Sequence, residues 1–136
     1  EVSTERLIKY ANAHRKAAYL PVLKDKQLIF IRVTDSTPLH PNRFGILEPP
    51  FDEHWMIAPQ ALDLVIMPLV AFDEKCHRLG MGGGFYDRTF RFKRRHRGSP
   101  KLIGLAYEFQ RVEHVPKSGL DVLLDSVITE NKRWIR

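Results

Sequence analysis

ALDLVIMPLVAFDEKCHRLGMGGGFYDRTF, residues 61–90, is the stretch on which the fold turns. Ala61 to Pro68 is apolar on both faces after Asp63, the pattern of a strand in a parallel sheet covered on both sides. A second apolar piece, Leu69 to Phe72, follows. Then Gly80, Gly82, Gly83 and Gly84 fill four of the five positions from 80 to 84, and a helix is expected from about Phe85 to His96. Strand, glycine loop and helix in that order place backbone amides where an anion can be bound. Arg78 stands just before the loop, where a guanidinium can fork onto phosphate. The alternative is a flexible turn without chemical use; the flanking Arg and the helix start favour the anion site. No Walker A ending of Gly-Lys-Ser/Thr is present, and Phe85 stands where a GxGxxG pattern needs its third glycine.

Two carboxylates bear on this loop. Asp87, in the first turn of the expected helix, would repel a polyphosphate unless a cation lay between them, so it is a candidate Mg²⁺ ligand. It could equally complement the helix dipole. Asp125 is a candidate second ligand, with a turn acceptor as the plainer reading. The six histidines share no helical spacing, and no Cys/His set or Ser-His-Asp arrangement can be read.

Outward from the loop, helical and strand patterns alternate, which points to a layered α/β domain. Thr4 to Arg15 reads as a helix, Ala17 to Leu23 as a buried strand ending near Pro21, and Gln27 to Val33 as a more exposed strand beyond a turn at Lys24-Asp25-Lys26. Phe44 to Pro50 is a short extended piece; Lys101 to Ala106 and Val122 to Thr129 are further strands. No repeat or linker interrupts the 136 residues, so a single domain is expected. Hydrophobic residues make up 43% and charged residues 28%, which excludes a disordered chain. The longest apolar stretch, Leu64 to Phe72, is too short to span a bilayer, and no signal peptide is expected. Cys76 is the only cysteine, so an internal disulfide is excluded and a reducing compartment is expected.

Lys plus Arg is 22 and Asp plus Glu 16, a net charge of +6. Seven of the cations, Arg88, Arg91, Lys93, Arg94, Arg95, Arg97 and Lys101, lie in one stretch without an acid. Such a run can bind nucleic acid. A solvated helix end, stopped by Gly98 and Pro100, is the reading favoured here, because no RNA-binding signature accompanies it.

Residues 63–90 closely resemble the signature of the 5-formyltetrahydrofolate cyclo-ligase family, the methenyltetrahydrofolate synthetases. The family pattern runs from an apolar strand ending in Pro, through Phe-Asp, to Arg-Leu-Gly-x-Gly-x-Gly-Tyr-Tyr-Asp. Pro68, Phe72-Asp73, Arg78-Leu79-Gly80, Gly82, Gly84, Tyr86 and Asp87 match it, and Phe85 replaces a Tyr. Glu1-Val2-Ser3-Thr4 is similar to the family's Glu-x-Asp-Thr helix start, Gly45 to Pro49 to its Gly-Ile-x-Glu-Pro stretch, and Asp121 to Glu130 to its closing segment.

The resemblance implies a three-layer α/β/α, Rossmann-like fold with a mostly parallel sheet. It also implies ATP- and Mg²⁺-dependent conversion of 5-formyltetrahydrofolate to 5,10-methenyltetrahydrofolate. The formyl oxygen takes the γ-phosphoryl group to give an iminium phosphate, N10 attacks that carbon, and phosphate leaves. Arg78, Gly80, Gly82, Gly83, Gly84, Phe85, Tyr86 and Asp87 would line the ATP site, with Arg78 and Tyr86 catalytic. Glu1 and Phe85 would meet the folate, and Asp87 with Asp125 the metal. The implied setting is a cytoplasmic monomer acting on a folate that can carry a polyglutamate tail, with neither membrane nor nucleic acid as partner. Family members begin with a further helix, whose Lys and Arg reach the ATP phosphates, and a first strand. Both precede the residues matched here, so an N-terminally truncated domain lacking that strand, with poor turnover on its own, is expected. A catalytically silent domain binding nucleotide or RNA is the rival.

Overall fold

The computed structural model describes residues 1–136 in two compact units, Ser3–Pro59 and Gln60–Arg136, the latter joined by Glu1–Val2. The smaller unit opens with α1, Glu5–Ala13, braced on its exposed side by a Lys9–Glu5 pair at 3.3 Å. The helix ends in a Schellman turn. Lys16 N donates to Ala11 O and Arg15 N to Asn12 O, with Arg15 itself in the left-handed region at φ 57°.

β1, Ala18–Lys24, and β2, Gln27–Val33, then form an antiparallel hairpin in which Lys24 faces Gln27. Asp25 takes the positive φ, 55°, that the tight turn needs. The expected burial of these two strands is reversed. β2 is central, between β1 and β5 (Met56–Ile57), and buries Leu28, Phe30, Ile31 and Val33. β1 is an edge strand with only Val22 buried.

That edge position explains why the strand runs through Pro21 instead of ending there. Leu23, two residues on, points its N–H away from β2 and donates it to Glu48 Oε2 at 3.0 Å. Pro21 lies on the same outward side, where no ladder donor is lost. The piece expected to be extended around Gly45 is a hairpin. β3, His40–Pro41, pairs with β4, Leu47–Glu48, and Asn42 Oδ1 accepts from Phe44 N and Ile46 N.

The larger unit is built on four strands. β6, Leu64–Met67, runs parallel to β9, Lys101–Leu105, and β9 parallel to β10, Ser126–Ile128; β11, Arg133–Ile135, closes the far edge antiparallel to β10. Strands of both kinds with helices make the chain α/β, and three of these four strands are parallel, as the apolar run at 64–67 predicts. Between β6 and β9 lie the hairpin of β7, Ala71–Phe72, with β8, Arg78–Leu79, and the helix α2, Phe85–Thr89. Phe72, Phe90, Met67, Leu102, Leu124 and Val127 form the core.

The last strand is shorter than Val122 to Thr129, and β11 is an addition. Val122–Asp125 is held by single bonds, Leu124 N to Cys76 O and Asp125 N to Leu102 O, instead of a ladder. Thr129 Oγ1 then accepts from Asn131 N and Lys132 N and turns the chain back. The helix expected from Phe85 to His96 stops at Thr89 and gives way to a 3-10 turn, Arg91–Arg94. A run of cations without acids offers no i,i+4 attraction to extend it, and Lys93 is drawn inward to donate to Gly98 O. No helix is long and apolar enough to cross a membrane.

Candidate functional site

The larger unit gathers most of the residues singled out around the glycine loop. β8 delivers Arg78 to its foot, and the side chain is 6% exposed. Nη1 donates to Pro68 O, the residue after β6, at 3.1 Å, and Nη2 lies 3.5 Å from Asp87 Oδ1. The guanidinium also sits 5.7 Å from the Tyr86 ring centroid. Its Nε–H is buried and has no acceptor. The free phosphate fork read from the sequence is therefore not the geometry found. Both terminal nitrogens hold the protein together, and Nε is the donor left over, at a cost of about 1–3 kcal/mol if nothing accepts it.

Met81, Gly82 and Gly83 are exposed beyond Arg78. Gly82 at φ 94° and Gly84 at φ 68° occupy backbone regions that L side chains rarely adopt, and Gly84 starts α2 from the left-handed region. Gly83 has no room for a Cβ unless the Phe85 ring shifts, since the added atom would stand 2.9 Å from it. Gly80 is closed off in the same way by Arg78 Nη1 at 2.8 Å. Arg88 Nη2 donates to Gly83 O at 2.7 Å and its guanidinium lies over the Phe85 ring, so the second half of the loop is tied to α2.

Tyr86 is pushed up to about 12 by burial, opposed by the Arg78 charge and reinforced by the Glu1 carboxylate. Glu1, far away in sequence, is thus electrostatically in range of Tyr86. At neutral pH the phenol is protonated, a donor and not a base.

The two candidate metal carboxylates differ. Asp87 uses Oδ1 for both of its contacts, accepting from Val122 N at 3.0 Å and pairing with Arg78. Asp125 engages both oxygens, Oδ2 accepting from Leu102 N at 2.8 Å and Oδ1 lying 3.5 Å from Arg136. Asp125 is at the N-terminal end of β9 and β10, whereas Arg78 reaches the C-terminal end of β6. No group of three or more His, Cys, Asp or Glu comes together that could hold a metal ion. A Mg²⁺ bound by one carboxylate and substrate phosphates fits Asp87; a second protein ligand at Asp125 does not fit this geometry.

Asp73 carries no role in the sequence reading, and the structure gives it one. It is 2% exposed. Oδ1 accepts from Lys75 N at 3.0 Å and His77 N at 3.1 Å, and Oδ2 from Val115 N at 3.1 Å; His77 Nδ1 lies 3.0 Å from both oxygens. Burial pushes the carboxyl up, but these bonds and the His77 ring outweigh it and hold it below its ordinary value. The signals in the sequence are its place in the Phe72-Asp73 pair of the family signature, which assigns it no role, and an Asx-turn pattern common in loops. A second polar cluster, Glu108 with Thr129, Trp134 and Arg111, was equally illegible because its members are up to 26 residues apart.

The sequence matches the 5-formyltetrahydrofolate cyclo-ligase family over residues 1–130. It is 42% identical to the 5-formyltetrahydrofolate cyclo-ligase of Haemophilus influenzae over 131 residues, covering 94% of this chain and 69% of that protein. It is 39% identical to the Escherichia coli cyclo-ligase, over 98% of this chain and 74% of the relative. The NMR structure of Aquifex aeolicus 5,10-methenyltetrahydrofolate synthetase superposes with a TM-score of 0.80 at 31% identity, over 99% of this chain. The solved structure of a 5,10-methenyltetrahydrofolate synthetase from Mycoplasma pneumoniae gives a TM-score of 0.64 at 26% identity, over 93% of this chain. The chain spans 66% and 64% of the lengths of those two solved proteins. With the family's sequence pattern matched over residues 1–130 and relatives 39–42% identical over nearly the whole chain, the chain belongs to the 5-formyltetrahydrofolate cyclo-ligase family.

Proposed function

We propose that the chain supplies the nucleotide- and folate-binding core of an ATP-dependent cyclisation of 5-formyltetrahydrofolate to 5,10-methenyltetrahydrofolate. The observation that carries this reading is the buried Arg78 Nε–H without an acceptor, set at the foot of an exposed glycine loop. A phosphate oxygen admitted by a shift of the loop would satisfy it. Positioning and charge neutralisation are the main demands of phosphoryl transfer. Arg78, held by Pro68 O and Asp87, supplies the fixed positive charge, and its enclosed Nε–H becomes available as the loop moves to admit the ligand.

Gly82 and Gly84 let the backbone take its course beside the phosphates. Tyr86 keeps its proton and donates it as a hydrogen bond, and Phe85, backed by Arg88, offers a flat apolar face to the folate. Glu1, in range of Tyr86, pairs with the pterin's amino groups. Asp87 presents Oδ2 to Mg²⁺, which when bound would screen phosphate charge. The same reading places the domain in a three-layer α/β/α arrangement and the protein in the cytoplasm as a monomer, acting on a folate able to carry a polyglutamate tail.

The test is titration of ATP with and without Mg²⁺, followed by the methenyltetrahydrofolate absorbance when 5-formyltetrahydrofolate is added. Saturable, Mg²⁺-dependent ATP binding that is lost in Arg78→Ala is expected. A chain that ignores ATP but binds RNA with a steep salt dependence would make the silent, basic-run reading correct.

A further inference from the structure

Asp73 lies outside the glycine loop, touches no residue of it, and is the most heavily bonded carboxylate in the larger unit. Its two oxygens collect three backbone N–H groups and the His77 ring. Two of those amides belong to the link from β7 to β8, and the third, Val115, to a segment on the far side of the chain from it. That segment is tied again next door: Val112 N donates to Phe72 O, and Phe72 bridges Arg111.

The link itself is tight. Cys76 is held at φ 64° with its N–H on Asp73 O, a conformation unfavourable for a residue with a Cβ. The residue after His77 is Arg78. The carboxylate therefore fixes the backbone from which the guanidinium departs, and Pro68 O and Asp87 then fix its far end.

We infer that Asp73, with His77, is a positioning residue for Arg78: it holds the start of β8 and so sets where the guanidinium stands at the foot of the glycine loop. The inference deepens the proposed nucleotide site and rests on it for its consequence, though not for its geometry. Asp73 acts through Arg78 and touches no reacting atom. Asparagine in its place keeps one acceptor but loses the charge and the second acceptor. The Val115 or His77 tie is then lost and Arg78 is free to shift.

The experiment reads Arg78 directly in the 136-residue chain, from the ¹⁵N–¹H resonance of its Nε–H and the rate at which that proton exchanges. Asp73→Asn is expected to move the resonance and raise its exchange at least about tenfold. Val127→Ala, a core truncation on β10, serves as the control for loss of stability alone. Equal acceleration in both variants would reduce Asp73 to a structural residue and overturn the inference. Should Asp73→Asn not fold, His77→Ala decides alone, with a smaller change in the same direction expected; an unmoved resonance there overturns it.

ATP titration is the second readout, with the dissociation constant expected to rise about tenfold in Asp73→Asn and less in His77→Ala. If the parent binds no ATP, the nucleotide reading fails while the Arg78 resonance still decides the positioning role. If the resonance moves but ATP affinity does not, Asp73 still positions Arg78, and it is the role of Arg78 at the nucleotide that is overturned.

Discussion

At Arg78 the backbone-directed use of a guanidinium decides what a substitution does. Lysine has one nitrogen where arginine has three, so Arg78→Lys can keep either the Pro68 O bond or the approach to Asp87, and it has no donor at Nε. ATP affinity in Arg78→Lys is expected to fall by about tenfold, roughly 1.4 kcal/mol, in a calorimetric titration. Asp87→Asn is a finer probe. Its side-chain oxygen can still accept from Val122 N, so circular dichroism should be unchanged, but the charge facing Arg78, which the proposed Mg²⁺ would also need, is gone. The gain in ATP affinity on adding Mg²⁺ should shrink sharply. If Asp87→Asn responds to Mg²⁺ as the parent does, Asp87 serves Val122 and Arg78 only.

On the scale of elements, α2 and the turn after it show how one run of sequence splits into two environments. Arg91, Arg94, Arg95 and Arg97 are exposed, while Lys93 is 9% exposed and donates to Gly98 O. Replacing Arg94 and Arg95 together by Ala should change unfolding free energy by under about 1 kcal/mol, since exposed charges contribute little and Arg94 makes only a 3.3 Å bond to Gly119 O. Lys93→Ala should cost more, about 1–3 kcal/mol, because it leaves a carbonyl without its donor and empties packed space. Urea unfolding of the two variants side by side distinguishes them. A loss of tight, salt-sensitive RNA binding in the double variant would instead point to the nucleic-acid reading of this run.

For the whole molecule, the Asp73 carboxylate sets an acid response. Its value in the fold lies below that of the unfolded chain, near 3.9 for an aspartate. The unfolded state therefore binds the proton first. Stability from this group is fully present above about pH 4 and is lost as pH falls further, through the folded-state value. Asp73→Asn should lower stability at neutral pH and flatten the dependence of unfolding free energy on pH below about 4. An unchanged acid slope would mean that other carboxylates dominate the acid transition.

Local rules written in neighbouring residues settled much of this protein. The apolar run at 64–67 specified a parallel strand, Lys24-Asp25-Lys26 a turn, and the glycines from 80 to 84 a loop opening a helix at Phe85. The signature of residues 63–90 carries the family in the sequence alone. The rest depended on distant partners. Which of β1 and β2 is buried follows from β5, a two-residue strand far along the chain that makes β2 central. The end of α2 follows from a lysine bonded to a carbonyl beyond the helix. Arg78 reads as a free phosphate fork in sequence because Pro68 and Asp87, its actual partners, lie ten and nine residues away, outside any helical or strand period. Asp73 needed Val115, 42 residues on, before its role had meaning. Periodicity reports which face of an element is apolar. Hydrogen-bond partners brought together by chain closure are set by packing, and only the tertiary structure supplies them.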